Sequence, residues 1–169
     1  MAAAPVGSID NPIPRSGARV LLVDGEGRVL MFRGFDPADP GRRYWFTVGG
    51  GLDPGESAAE GAVRELREET GLELSPREVG SPVWHEVTDF PYDGRWYRQD
   101  QDFFAVRVRS LEVRLDGFDQ EERRSIDGYR WWSVDDLLGT DEPFYPRELP
   151  DLLRAVLHPG RDLLGRGEA

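Results

Sequence analysis

The sequence predicts a mixed α/β sandwich. Apolar, β-branched runs recur along the chain, glycine-bearing turns separate them, and one strongly patterned helix stands in their midst. Arg19–Val23 (RVLLV) and Val29–Arg33 (VLMFR) flank Asp24-Gly25-Glu26-Gly27 and predict a hairpin. Asp36–Arg43 carries Pro, Gly and Asp and predicts a loop. Tyr44–Val48 (YWFTV) predicts a short strand that runs into Gly49-Gly50-Gly51. The helix is predicted over Ser57 to Thr70, because Ser57-x-x-Glu60 is a capping box and Gly71 suits the left-handed residue that closes a helix. Val83–Thr88 and Arg95–Arg109 predict strands, the second ending in the alternating FFAVRVR. Asp116–Arg124 is charged and predicts a helix, and Tyr129–Ser133 predicts a short aromatic strand. Val134–Leu138 and Pro146–Leu157 predict short helices.

A chain of 169 residues, without repeats or a long linker, fits one domain. Residues 1–16 read as a Pro/Gly/Ser-bearing arm, 17–158 as the domain and 159–169 as a frayed C-terminal tail. Every one of the 21 basic residues is arginine, and there is no cysteine. Schiff-base, pyridoxal and phosphate-loop lysine chemistry are therefore excluded, as are disulfides, thiolate nucleophiles and Cys-ligated zinc. Carboxylates, glycines and aromatics remain, which favours hard oxygen ligands and ions such as Mg²⁺. A net charge of -11 and a pI near 4.7 argue against binding to a nucleic acid duplex. No run approaches the roughly 18 apolar residues of a membrane span, and no basic region leads an apolar stretch at the start. With no cysteine, these features fit a cytoplasmic protein.

The helix breaks local rules. At ~100° per residue, Ala59, Ala62, Val63, Leu66 and Thr70 share one face, and Glu65, Glu68 and Glu69 lie directly beside it. Like charges at i,i+3 and i,i+4 destabilise a helix, and the last turn is the negative end of its dipole. Solvated acidic stripes are common, but here the carboxylates adjoin an apolar face, where screening is weaker. A divalent cation would relieve all three conflicts.

Gly50 to Leu72 reads G-GLDPG-E-SAAEGAV-R-E-L-R-E-E-T-G-L. This resembles the Nudix box, G-x5-E-x7-R-E-U-x-E-E-x-G-U with U aliphatic, at all nine specified positions: Gly50, Glu56, Arg64, Glu65, Leu66, Glu68, Glu69, Gly71 and Leu72. The preceding hairpin and a later acid ahead of an RWW strand extend the resemblance from Ser16 to about Leu138. It implies a Nudix-type α/β/α sandwich with a mixed sheet and a catalytic loop–helix–loop. It also implies a Mg²⁺-dependent hydrolase, with Mn²⁺ as substitute, cleaving a phosphoanhydride bond in a nucleoside diphosphate-linked small molecule by metal-activated water. The implied metal ligands are the Gly49 carbonyl, Glu65, Glu68 and Glu69. Gly50, Glu56, Arg64 and Gly71 are structural, with Glu56 pairing with Arg64. Glu65 is the first choice to orient or deprotonate water, with Glu69 the second catalytic carboxylate of the helix.

One further acid outside the box is expected among Asp119, Glu121 and Glu122. Glu122, eight residues before Arg130, has the spacing the resemblance favours, as a metal ligand and catalytic acid. Arg33, Tyr44, Trp84 and Trp96 are candidate substrate contacts, though aromatics on strands equally fill a core. Oxidised-purine triphosphates, ADP-sugars and dinucleotides all fit as substrates. The isomerase class that shares the box relies on a cysteine, which this chain lacks. A non-catalytic Nudix-fold nucleotide sensor or regulator is the alternative, set against the retention of every box carboxylate. A homodimer is the family-level expectation.

Overall fold

The computed structural model describes residues 3–159. Its elements are β1 (Ile13–Val23), β2 (Val29–Asp36), β3 (Asp39–Gly51), α1 (Ala58–Thr70), β4 (Trp84–Tyr92), β5 (Arg95–Arg107), α2 (Gln120–Ser125), β6 (Ile126–Trp132), α3 (Val134–Gly139), β7 (Phe144–Tyr145) and α4 (Leu149–Leu157). The strands form one mixed sheet in the order β4-β5-β1-β2-β3-β7, with β6 paired to β2. It is the expected α/β sandwich.

The β1–β2 hairpin is paired beside its turn, through Val23↔Val29. Beyond that pair the two strands diverge. β1 runs parallel to β5 from Ile13↔Tyr97 to Val23↔Arg107, whereas β2 pairs with β6. β3 bridges the split: Arg43–Thr47 pair with β2, and Val48–Gly51 pair with Gly17–Val20 of β1. The glycine end of β3 is thereby laid across β1 beside α1.

Alternation along β1 builds two cores, because successive side chains face opposite sides of a sheet. Ala18, Val20 and Leu22 pack with Ala62 and Leu66 of α1. Leu21 and Val23 pack with Trp132, Leu137 of α3 and Leu149, Leu152 and Leu153 of α4. Each face of the sheet thus carries a helical layer.

Several expectations change, among them the helix over Asp116–Arg124, which begins only at Gln120 because Asp119 caps it. Asp36–Arg43 is not a loop: β2 continues to Asp36, Pro37 and Ala38 form the turn, and β3 resumes at Asp39. Pro37 falls within the turn and Pro40 at the exposed hairpin end, where a missing N–H is tolerated. Asp36 Oδ1 stabilises the reversal by accepting from the Ala38 amide at 2.9 Å. β1 starts inside the expected arm of residues 1–16, because Ile13–Ser16 extend the parallel ladder with Tyr97–Asp100. The last helix begins at Leu149 rather than Pro146. From residue 160 the expected tail lies outside the described residues. Among the described residues, no helix is long and apolar enough to cross a membrane.

Candidate active site

The capping box at the start of α1 forms as expected. Ser57 Oγ accepts from the Glu60 amide at 3.2 Å, and Glu60 Oε2 accepts from the Ser57 amide at 2.7 Å. At the other end Gly71, at φ 81°, donates its N–H to the Arg67 carbonyl at 3.0 Å. A helix so framed presents Leu66 and Ala62 to the core, and Glu65 and Glu69 to its margin.

Glu65 and Glu69 are 6% and 2% exposed, unusual values for carboxylates. Glu122, half-buried on α2, joins them: one oxygen from each of the three lies within 4.8 Å of the others. Burial pushes the Glu65 carboxyl up to about 7, against the pull of Arg64, with Glu122 adding to the rise. Burial and then the Glu65 charge push Glu69 well above the ordinary carboxylate range. Burial also raises Glu122, opposed by the hydrogen bond from the Asp119 amide. Glu69 Oε2 accepts from the Gly49 amide at 2.9 Å. Among the described residues, Glu65 Oε2 is buried without a hydrogen-bond partner. Such an oxygen costs free energy unless something outside the protein satisfies it. Three convergent carboxylates with an orphaned oxygen among them are a hard, anionic donor set that fits a divalent cation.

Glu68, the remaining helix carboxylate expected to bind metal, lies at the outer side, 37% exposed, with Arg64 Nη1 at 3.2 Å. Arg64 does more than meet Glu68, for its Nε and Nη2 grip the two Glu56 oxygens at 2.7 and 2.9 Å. Nη2 also donates to the Gly51 carbonyl at 3.0 Å, and the Asp53 amide donates to Glu56 Oε2 at 2.9 Å. The pair fastens the Gly51–Glu56 loop to the helix. Gly50 is required for room, because a Cβ there would sit 2.6 Å from Glu65 Oε1. Gly49 holds φ +134°, and a Cβ would collide with the Ala18 carbonyl.

The Gly49 carbonyl, expected to face a metal, accepts from Arg19 Nη1 at 2.9 Å. Arg19 escaped the sequence analysis. Its sign was there: a lone cation inside the apolar run Ala18–Val23. Asp119, one of the three candidate acids outside the box, caps α2: its Oδ1 accepts from the Glu122 amide at 2.8 Å and its own amide donates to Glu122 Oε2 at 2.9 Å. The D-x-x-E spacing of a capping box marks this position in the sequence.

The four candidate substrate contacts are dispersed. Arg33 Nε pairs with Asp127 Oδ1 at 2.7 Å, and Arg43 takes the other oxygen. Tyr44 packs between Phe46 and Tyr145, and burial pushes its hydroxyl up to about 12. Trp84 packs on Phe103, centroids 5.0 Å apart, against the core on the sheet face away from α1. Trp96 lies opposite Pro91 near the end of the β4–β5 hairpin, its amide donating to Gly7 O at 2.8 Å.

Comparison with known proteins adds to this geometry. A family model, the NUDIX domain, matches residues 13–152. An RNA pyrophosphohydrolase of Caulobacter vibrioides is 34% identical over 143 residues, covering 80% of this chain and 81% of that one. One from Erythrobacter litoralis is 30% identical over 158 residues, covering 89% and 92%. The solved structure of a MutT NUDIX hydrolase from Burkholderia pseudomallei superposes with a TM-score of 0.58 at 21% identity, covering 85% of this chain and 98% of that one.

Proposed function

This chain belongs to the NUDIX family, as a pyrophosphohydrolase, and on that premise we propose that it is a Mg²⁺-dependent hydrolase of a nucleoside diphosphate-linked substrate. The observation that carries the metal dependence is the buried, unpartnered Glu65 Oε2 within the Glu65–Glu69–Glu122 group. Those three carboxylates would hold Mg²⁺, or Mn²⁺ in its place. Bound there, the ion supplies Lewis acidity, offsetting phosphoryl charge and easing loss of a proton from water.

The protein's own part is positioning and proton handling. Water attacks a phosphorus, the bridging P–O bond breaks, and the departing phosphate keeps that bond's electron pair. Glu65 is the proposed acceptor of the water's proton, as a carboxylate within the group that would hold the ion. Glu69 is kept in place by the Gly49 amide. Arg64 and Glu56 keep the glycine-bearing loop against the helix, so the diphosphate meets a fixed surface.

Substrate identity turns on X, the group linked to the nucleoside diphosphate. The chemistry fits a small-molecule nucleoside diphosphate derivative, and the relatives named RNA pyrophosphohydrolases favour RNA as a second reading. Arg33, Tyr44 and Trp96 are the proposed contacts for the part beyond the diphosphate; Trp84, packed into the core on the sheet face away from α1, is set aside. Phosphate, pyrophosphate and nucleoside monophosphate release from a panel of both kinds, with Mg²⁺ or Mn²⁺, tests the reading and names X. No release from any member would favour the nucleotide-sensor alternative. We also propose a cytoplasmic homodimer, tested by cell fractionation and light scattering.

A further inference from the structure

We propose that Arg19 is a positioning residue for the divalent-cation site, acting through the backbone of Gly49. Arg19 sits on β1 directly opposite Gly49 of β3. Its Nη1 donates to the Gly49 carbonyl at 2.9 Å and to the Thr47 carbonyl at 3.3 Å. Its Nε donates to Gln101 Oε1 at 3.2 Å, and Gln101 Nε2 donates to Glu86 Oε1 at 2.6 Å. The guanidinium is therefore anchored from β5 and β4 and pins two carbonyls of β3.

This pinning has a consequence on the carboxylate side. Gly49 stands at φ +134°, off the strand conformation of its neighbours, and its amide donates to Glu69 Oε2. One glycine thus presents its carbonyl to Arg19 and its N–H to Glu69. A glycine at such a φ has no side chain to fix it, so the bonds at its two ends define its orientation. Arg19 supplies the bond at the carbonyl, and Glu69 depends on the outcome. The two positions that follow are also bare: Gly50 lies against Glu65, and Gly51 completes the pairing with Gly17. Without Arg19 the glycine run keeps its pairing with β1 and the Arg64 bond at Gly51, but the Gly49 carbonyl loses its side-chain donor.

Charge and positioning make opposite predictions. Arg19 is a cation in the field of Glu65 and Glu69, so by Coulomb repulsion alone it weakens the binding of another cation there, and its removal should tighten it. If Arg19 acts as a second layer that orients the Gly49–Glu69 pair, its removal should loosen binding. Loss of such outer support costs on the order of tenfold or more in metal affinity.

The inference rests on the proposed metal site, and the test separates the two. Mn²⁺ is titrated onto the full chain without substrate, following free Mn²⁺ by electron paramagnetic resonance, for wild type, Arg19→Met and Arg19→Lys. Met keeps the length without charge or donors; Lys keeps the charge but lacks the planar fork. The expected result is a Kd for Mn²⁺ raised about tenfold in both variants, with faster hydrogen exchange at the Gly49 amide. Unchanged or tighter binding in Arg19→Met overturns the proposal. If Arg19→Met fails to fold, wild-type affinity in Arg19→Lys overturns it instead. A wild-type protein that binds no Mn²⁺ overturns the metal site itself, and the role of Arg19 with it.

Discussion

Arg64 grips Glu56 at two points, Nε to Oε1 at 2.7 Å and Nη2 to Oε2 at 2.9 Å, joining residues eight positions apart across the start of α1. A planar fork on a carboxylate is strong and directional. Glu56→Gln removes one charge and one good acceptor. It should cost about 1–3 kcal/mol, lowering Tm by roughly 3–10 °C for a chain of this size, and reduce activity through the loosened loop. Arg64 holds the Glu56 carboxyl below its ordinary range, so this stabilisation is present above the unfolded pKa near 4.5 and fades as pH falls through the lower folded value. Thermal melts from pH 3 to 8 check both parts; a variant with wild-type Tm at pH 7 contradicts them.

Glu65 carries the opposite sign. Its folded pKa of about 7 lies above the ordinary 4.5, so between these values the folded state binds more protons than the unfolded one. Chelator-treated protein should therefore lose stability on this account as pH rises from about 4.5 to about 7. Glu65→Gln should melt higher than wild type at pH 8 in the absence of metal, and Mn²⁺ should raise the Tm of wild type only. A metal-free Glu65→Gln that melts below wild type at pH 8 would refute the buried-charge account.

Glu122 has two duties that a pair of variants can divide. Gln at the third helical position still accepts from the Asp119 amide, so Glu122→Gln keeps the capping box of α2 while removing the charge. Its Tm should stay within about 1 °C of wild type while Mn²⁺ affinity falls at least tenfold, as expected for loss of an anionic oxygen ligand. Asp119→Ala should do the reverse, costing about 1 kcal/mol of stability with a smaller loss of affinity. Calorimetric titration and melting of both proteins give the comparison.

Gly49→Ala should be far more damaging than an ordinary Gly→Ala change. The φ of +134° disfavours any side chain, and the new Cβ would meet the Ala18 carbonyl on the adjoining strand. More than about 4 kcal/mol of destabilisation is expected, in the range reserved for broken backbone constraints. Soluble, cooperatively melting Gly49→Ala with wild-type Mn²⁺ affinity would show that the strand can shift at little cost.

What the sequence revealed follows from the range of the interactions involved. α1 and its caps are local, set by spacings of a few residues, and lie where the pattern puts them, while the Glu56–Arg64 pair was implied by the resemblance. Asp36–Arg43 misled because Pro and Gly punctuate it, whereas pairing with a distant partner decides whether such a segment is strand. The approach of Glu122 to Glu65 and Glu69 spans more than fifty residues, and only a resemblance pointed to it. Arg19 was hidden for the same reason. Its partners Thr47, Gly49 and Gln101 come from two other strands, and no local pattern names them.

The central claim, that carboxylates on α1 hold a divalent ion for phosphoanhydride cleavage, is tested most directly by Glu69→Gln. The amide oxygen can still accept from Gly49 N–H, so the fold should persist while the anionic ligand is lost. Product release is followed with Mg²⁺ on the substrate that wild type turns over best, with circular dichroism confirming the fold. Folded Glu69→Gln should retain less than about one part in a hundred of wild-type kcat, a loss of some 2.7 kcal/mol or more in transition-state stabilisation. Turnover near that of wild type in the folded variant would contradict the account.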